Sequence, residues 1–168
     1  MKKPPVQIVN DKDEFIGLKD RLALDYATDI YRVSALWMTN SAGDVLIAQR
    51  KLTKDRDPGL WGPAVAGTID EGETYDINIY KEAEEEIGLS GVEFQKGPKT
   101  HITSPRHYFC QWYRVTLDRP AASFTLQEDE VEAVVWMPLA KLREEVAAQP
   151  AKYIPTMERA MTALYGEA

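Results

Sequence analysis

The chain has 168 residues, 44% of them hydrophobic, which is the size of one ordinary domain with enough apolar mass to bury a core. Its formal charge is −7 and its sequence pI about 4.9, a balance that excludes a general nucleic-acid-binding surface, which needs a basic stripe. No apolar run approaches a membrane span, MKKPPVQIVNDKDE lacks the apolar stretch of a signal peptide, and a single cysteine, Cys110, excludes an internal disulfide; a cytoplasmic protein with one domain over 1–168 is expected.

Taken in order, VQIV and EFIGL flank the polar turn NDKD and predict a short N-terminal β-hairpin. YRVSALWM and VLIAQR flank NSAGD, with a glycine where a turn wants one, and predict a second hairpin. KLTKDRDPGLWGPAVAG is punctuated by Pro and Gly and reads as a loop. Thr74 is placed to cap a helix that runs to about Ile87 and ends at Gly88. HYFCQWYRVTL and EVEAVVWM read as strands, Pro138 is placed to open a helix over LAKLREEVAAQ, and Pro155 another over PTMERAMTALY. Strands and helices intermix without a regular βαβ repeat, which favours a mixed sheet packed between helices.

The helix after Thr74 carries an electrostatic anomaly. Residues 67–89, GTIDEGETYDINIYKEAEEEIGL, hold eight acids and one base, so the rest of the chain is neutral. At helical spacing Ile77, Tyr80, Ala83 and Ile87 gather on one side, with Glu84 near them, while Glu82, Glu85 and Glu86 gather on the other. A solvated acidic face is the usual reading of such a run. Here, however, like charges at i and i+4 cost roughly 0.2–0.5 kcal/mol per pair, and the macrodipole disfavours acids in the last turn. Local rules broken in this way mark functional sites, and the missing partner is most simply a cation; oxygen-only ligands suit Mg²⁺ or Mn²⁺. Zinc wants His or Cys, and the chain offers only His101, His107 and Cys110, so a structural zinc site is not expected.

Gly67, Glu73 and KEAEEEIGL resemble the Nudix box, whose second half is written R-E-U-x-E-E-x-G-U with U apolar. The box spans residues 67–89, and every defining position agrees except Lys81, where the family has arginine. The resemblance implies an α/β/α sandwich with a mixed sheet, an N-terminal β-hairpin and a C-terminal helix. It further implies a divalent-metal-dependent hydrolase acting on a diphosphate linked to another moiety. On that resemblance Glu82, Glu85 and Glu86 are metal ligands, joined by the Gly67 carbonyl, and Glu73 orients the second half of the box. Glu82 is the first choice of general base, with Glu128 or Glu130 as alternatives from a later loop. Lysine offers a point charge where arginine holds a carboxylate bidentately, so Lys81 is expected to pair with Glu73 or a metal glutamate in a looser cluster. Homodimers are common in the family, and the partner otherwise implied is a small-molecule diphosphate.

VLIAQRKLTKDRDPGLWGPAVAG is similar to the corresponding segment of isopentenyl-diphosphate isomerases, which share the Nudix fold. Arg50 and Lys54 match basic residues that contact the diphosphate there, with ordinary loop solvation as the competing reading. The isomerase pattern places a cysteine where this chain has Ala66 and a metal-binding histidine where it has Thr68, and it wants a glutamate on a later strand that HYFCQWYRV lacks. An isomerase-like Nudix hydrolase is therefore expected over an isomerase, and a non-catalytic ligand-binding module is the third reading. Trp61, Tyr108, Trp112 and Tyr113 are candidates to stack on a nucleobase, although aromatics on strands are more often core. Arg106 and His107 stand where they can reach a phosphate or base, or lie plainly on the surface.

Overall fold

The computed structural model describes residues 2–167, and in them nine strands join one mixed sheet: β1 (Val6–Val9), β2 (Phe15–Lys19), β3 (Tyr31–Thr39), β4 (Asp44–Arg50), β5 (Trp61–Pro63), β6 (Val65–Thr68), β7 (Gln95–Ile102), β8 (Tyr108–Thr116) and β9 (Val131–Pro138). Three α-helices accompany them: α1 (Tyr75–Ile87), α2 (Leu139–Ala148) and α3 (Met157–Tyr165). Side chains alternate across β3 with the period of two that a strand imposes. Leu36 and Met38 enter a core shared with Ile79, Ala83 and Ile87 of α1. Ala35 and Trp37 enter the opposite core, with Leu142 and Val146 of α2 and Met157, Met161 and Leu164 of α3. Each such side chain, fully buried, contributes about 1.5–3 kcal/mol. The result is the expected α/β/α sandwich, with the C-terminal helix packed on its own sheet.

The N-terminal hairpin forms as expected, with β1 antiparallel to β2. The second does not persist. Gly43 makes the turn at φ 84, but β3 and β4 share only the register pair Thr39↔Val45 before they part. β3 is captured by parallel β8 along its whole length and by antiparallel β6, while β4 pairs with β5 and β9. The stretch expected to be a loop supplies β5 and β6, because each needs only a short ladder against a strand already in place. β7 went unpredicted because Gly97-Pro98 breaks its pattern; the structure accommodates them by a register shift between Lys96 and Lys99.

α1 begins and ends as the sequence indicates. The Thr74 hydroxyl accepts the Ile77 N–H at 3.1 Å, and Gly88 closes the helix at φ 66 with its N–H on the Glu84 carbonyl. Its buried face, however, is rotated from the expected one. Asn78, Ile79, Ala83 and Ile87 are buried, whereas Ile77, Tyr80 and Glu84 are exposed. Tyr80 is nevertheless engaged: its ring stacks on Phe94 at 4.5 Å and its hydroxyl accepts the Phe94 N–H. Asn78 displaces an apolar residue from the inner face because its amide is fully used, as described below.

Gly88→Ala forces a β-carbon into a left-handed conformation and to within 2.9 Å of Thr125 Cβ. A loss of roughly 1–3 kcal/mol is expected, measurable by denaturant unfolding, with the fold otherwise retained.

Candidate active site

The site is assembled where β6 hands over to α1. Glu73 lies in the connecting turn, and its Oε2 accepts the Asp70 N–H at 3.0 Å and the Asn78 amide at 2.7 Å. Its Oε1 is paired with the Lys81 ammonium. Asn78 also donates to the Thr68 carbonyl at 3.1 Å and receives the Ser34 hydroxyl on its oxygen, so a turn, a strand and the helix are joined through one amide. Burial pushes the Glu73 carboxyl up, but the hydrogen bonds from Lys81, the Asp70 N–H and Asn78 outweigh it and hold the group below its ordinary value. Lys81 reaches two further carboxylates, Asp70 Oδ2 and Glu82 Oε1, each at 3.5 Å. The other Asp70 oxygen accepts from Arg21 at 2.5 Å. Sequence reasoning missed Ser34, Asp70 and Asn78. Spacing gave no signal for them: Asn78 stands four and seven residues before Glu82 and Glu85, on the acidic side of the helix rather than with Ile87.

Glu82 and Glu86 are in the opposite situation. Glu82 is pushed up to about 7, first by burial and then by Glu85, Glu73 and Asp70, against the relief that Lys81 gives. Glu86 is pushed well above the carboxylate range by burial and by Glu82 and Glu130, against a hydrogen bond from the Ala66 N–H and the charge of Arg50. Glu85 is exposed at the rim. Gly67, opposite in β6, is held to glycine by the close approach of Glu82: a β-carbon there would stand 2.7 Å from Oε1 and nearer still to Cγ and Cδ. Among the described residues, the trio of ligand-type side chains whose donor atoms all fall within 4.8 Å of one another is Asp11, His101 and His107, not the three glutamates. The donors of the three glutamates are all oxygen, and burial disfavours ionisation of Glu82 and Glu86; that chemistry fits a hard divalent cation.

A family model described as the NUDIX domain matches residues 30–157. The chain belongs to the Nudix family. An uncharacterised Nudix hydrolase of Escherichia coli (strain K12), YfcD, is 27% identical over 157 residues, covering 93% of this chain and 83% of that protein. An isopentenyl-diphosphate Δ-isomerase of Klebsiella pneumoniae is 24% identical over 163 residues, covering 90% of this chain and 85% of that protein. The crystal structure of DR0079 from Deinococcus radiodurans superposes with a TM-score of 0.83 at 22% identity, covering 95% of this chain and 98% of that one, which is a likeness of fold. No helix among the described residues is long and apolar enough to cross a membrane.

Around the Nudix box the remaining candidate residues divide. Arg50, at the end of β4, donates Nε to the Arg56 carbonyl at 2.9 Å, and its charge bears on Asp57, Glu86 and Glu130; burial draws its own value down. Lys54 pairs with Glu130 at 2.5 Å, and Glu130 adjoins Glu86 rather than standing free on the surface. Arg106 is engaged bidentately by Asp57 at 2.8 and 2.9 Å, and Asp57 also feels the charge of Arg50. Trp61 is half-buried, with its carbonyl taken by the Ile154 N–H, and packs on the α2–α3 core. Trp112 and Tyr113 are buried, and Tyr108 stacks on Tyr31 at 5.3 Å, so these aromatics are packing residues.

The Glu82 carboxyl sets a sign for pH dependence. Its value in the folded chain, about 7, lies above the ordinary 4.5, so between those values the folded state holds a proton that the unfolded state has lost. Stability therefore falls as pH rises through that window, and the penalty is complete above about 7. In metal-free protein, Glu82→Gln is expected to melt higher than the parent above this window and equally below it, as thermal scans at several pH values would measure.

Proposed function

We propose that this chain is a Mg²⁺-dependent hydrolase, with Mn²⁺ as the alternative ion, cleaving the phosphoanhydride of a nucleoside diphosphate linked to another moiety. The whole chain, residues 1–168, acts as one Nudix domain on a small molecule, and the compartment is the cytoplasm. The observation that carries this reading is the contrast at α1. Glu73 and Asp70 are neutralised by Lys81 and Arg21, whereas Glu82 and Glu86 are crowded, and Lys81 at 3.5 Å and the charge of Arg50 do not offset their burial and repulsion.

Glu82, Glu85, Glu86 and the Gly67 carbonyl are the groups that would hold the ion. A divalent cation bound by them supplies Lewis-acid polarisation of phosphorus and acidifies water. The chain's own residues do the rest. Glu73, fixed by three hydrogen bonds, orients the turn so that Gly67 faces Glu82. Arg50 and Lys54 lie beside Glu86 and Glu130 and are placed to hold diphosphate oxygens, Lys54 by leaving Glu130. Glu82 is the first choice of base to accept the water's proton, with Glu130 from the later loop as the alternative once Lys54 has left it. Trp61 and Arg106 are assigned to the leaving moiety on position alone.

The likeness to the Klebsiella isomerase supports a second reading, an isoprenoid diphosphate isomerase. Ala66 stands where the isomerase pattern has cysteine. Cys110 lies in the buried α2–α3 core, where burial pushes its thiol up, so it does not supply the missing group.

A panel of nucleoside diphosphate derivatives and isopentenyl diphosphate, assayed with Mg²⁺ or Mn²⁺ for the two phosphomonoester products of hydrolysis and for isomerisation, separates the readings. Hydrolysis of a panel member is expected, with Glu82→Gln lower by about 10²–10⁴-fold in kcat. Glu85→Gln and Glu86→Gln should lose activity that high Mg²⁺ partly restores, and Lys54→Ala should raise KM more than it lowers kcat. Gly67→Ala removes no carboxylate, yet should match the glutamate variants because it displaces Glu82. Absence of both hydrolysis and isomerisation across the panel in the parent protein would leave the non-catalytic module as the correct reading.

A further inference from the structure

The two histidines of the chain meet face to face. His101 is near the end of β7 and His107 just before β8; their ring centroids are 4.9 Å apart, their planes 18° from parallel, and their Nε2 atoms 2.7 Å apart. Phe109 stacks on His101 at 4.0 Å and restricts how that ring can turn. Asp11, from the turn between β1 and β2, completes a trio in which one donor atom from each residue lies within 4.8 Å of the others. Asp11 and His101 are exposed and His107 is half-buried. The Asp11 carboxylate has no hydrogen bond or ion pair among the described residues, which leaves it free to serve as a ligand.

The turn that presents Asp11 is firmly built. Asn10 Oδ1 accepts the Lys12 N–H at 2.9 Å and the Glu14 N–H at 3.0 Å. Asp13 adopts a left-handed conformation at φ 61, and its carboxylate accepts from Arg32 at 2.7 Å, Lys99 at 2.6 Å and the Tyr75 hydroxyl at 3.0 Å. Those three donors belong to β3, β7 and α1, so the turn is tied to the same β7 that carries His101. Asp11 is thus placed beside the histidines by its neighbours, before any ligand arrives.

We propose that Asp11, His101 and His107 bind a late first-row divalent cation, Zn²⁺ above all, at a site separate from the acidic helix and independent of the function proposed for it. Two imidazole nitrogens select such an ion over Mg²⁺, which prefers oxygen donors and water. At zinc–ligand distances of about 2.0–2.2 Å a tetrahedral ion holds its donors about 3.3–3.6 Å apart, so the trio has to close from within 4.8 Å and the imidazole pair to open from 2.7 Å. Side chains at an exposed edge make such an adjustment readily. Three protein ligands leave the ion's remaining positions to water or to an incoming group. The bound cation would join the β1–β2 turn to the β7–β8 hairpin and stabilise the fold by mass action.

The test uses the full-length chain without an affinity tag, in excess Mg²⁺ to fill oxygen-donor sites. With only two histidines in the chain, ring-nitrogen NMR reads each of them individually. Zn²⁺ is expected to shift Nε2 of both rings to a common end point at one equivalent, to raise the melting temperature, and to do both unchanged in Glu85→Gln. His101→Ala and His107→Ala should each abolish the response, and Asp11→Asn should weaken binding by about 10–100-fold. Zn²⁺ that moves neither ring, or only one, overturns the site, and an unchanged affinity in Asp11→Asn overturns the three-ligand set. Should a histidine variant fail to fold, the parent's ring-nitrogen spectrum decides the matter alone.

Discussion

A single ammonium, that of Lys81, stands among Asp70, Glu73 and Glu82 at the junction of β6 and α1. Remove its charge and three carboxylates face one another in a partly buried turn, with the peptide that delivers Gly67 to the helix running between them. The family's usual arginine would grip one carboxylate with two parallel bonds; lysine cannot, and instead divides a point charge over three. The missing guanidinium is supplied from elsewhere. Arg21, from a short helical turn before β3, takes the Asp70 oxygen that Lys81 does not. The departure from the family pattern is thus compensated locally, and the turn keeps its form.

That arrangement sorts the acids of the box into two populations. Asp70 and Glu73 are paired and oriented, and Glu73 is held ionised by the bonds it accepts. Glu82 and Glu86 are left with more negative charge around them than positive, and ionisation becomes costly there. The same lysine serves both ends: it holds Glu73 closely and reaches Asp70 and Glu82 at 3.5 Å each, and of these two it is Asp70 that Arg21 also holds. On the proposed function, that imbalance favours entry of the cation, since carboxylates already neutralised would have to be uncovered before it could bind.

Much of this was legible from the chain itself. The caps of α1, its acidic stripe, the N-terminal hairpin and the order of elements follow from local rules, because Thr74, Gly88 and the polar turn NDKD act on their immediate neighbours. The rotation of α1 was not legible. Apolar counting favours Ile77 and Tyr80, and it cannot know that Asn78 would find Thr68, Glu73 and Ser34 as partners across the chain. Nor does sequence spacing reveal that Glu130 sits beside Glu86, since what brings it there is the Gln127 N–H bonding to the Glu86 carbonyl at 2.9 Å. The meeting of Asp11 with two histidines is likewise a product of the sheet, written nowhere as a motif.

The failure of the second hairpin has the largest consequence for chemistry. Had β3 and β4 stayed paired in that register, Arg50 at the end of β4 would lie opposite Ser34, in the place that Gly67 of β6 takes. Instead β3 commits to β8 and β6, and β4 to β9 and β5, so the two ladders separate beyond Thr39↔Val45. One ladder carries Ala66, Gly67 and, through the turn, α1. The other carries Arg50, whose register partner Val131 follows Glu130 directly. Arg50, Ala66, Glu86 and Glu130 accordingly line one cavity between the ladders. The cavity is bounded by Glu86 on the helix side and by Arg50 and Glu130 on the other, and the separation of the ladders is what lets those charges face each other. A turn that forms while its strands diverge is therefore what converts an acidic helix into a cleft with two unlike walls.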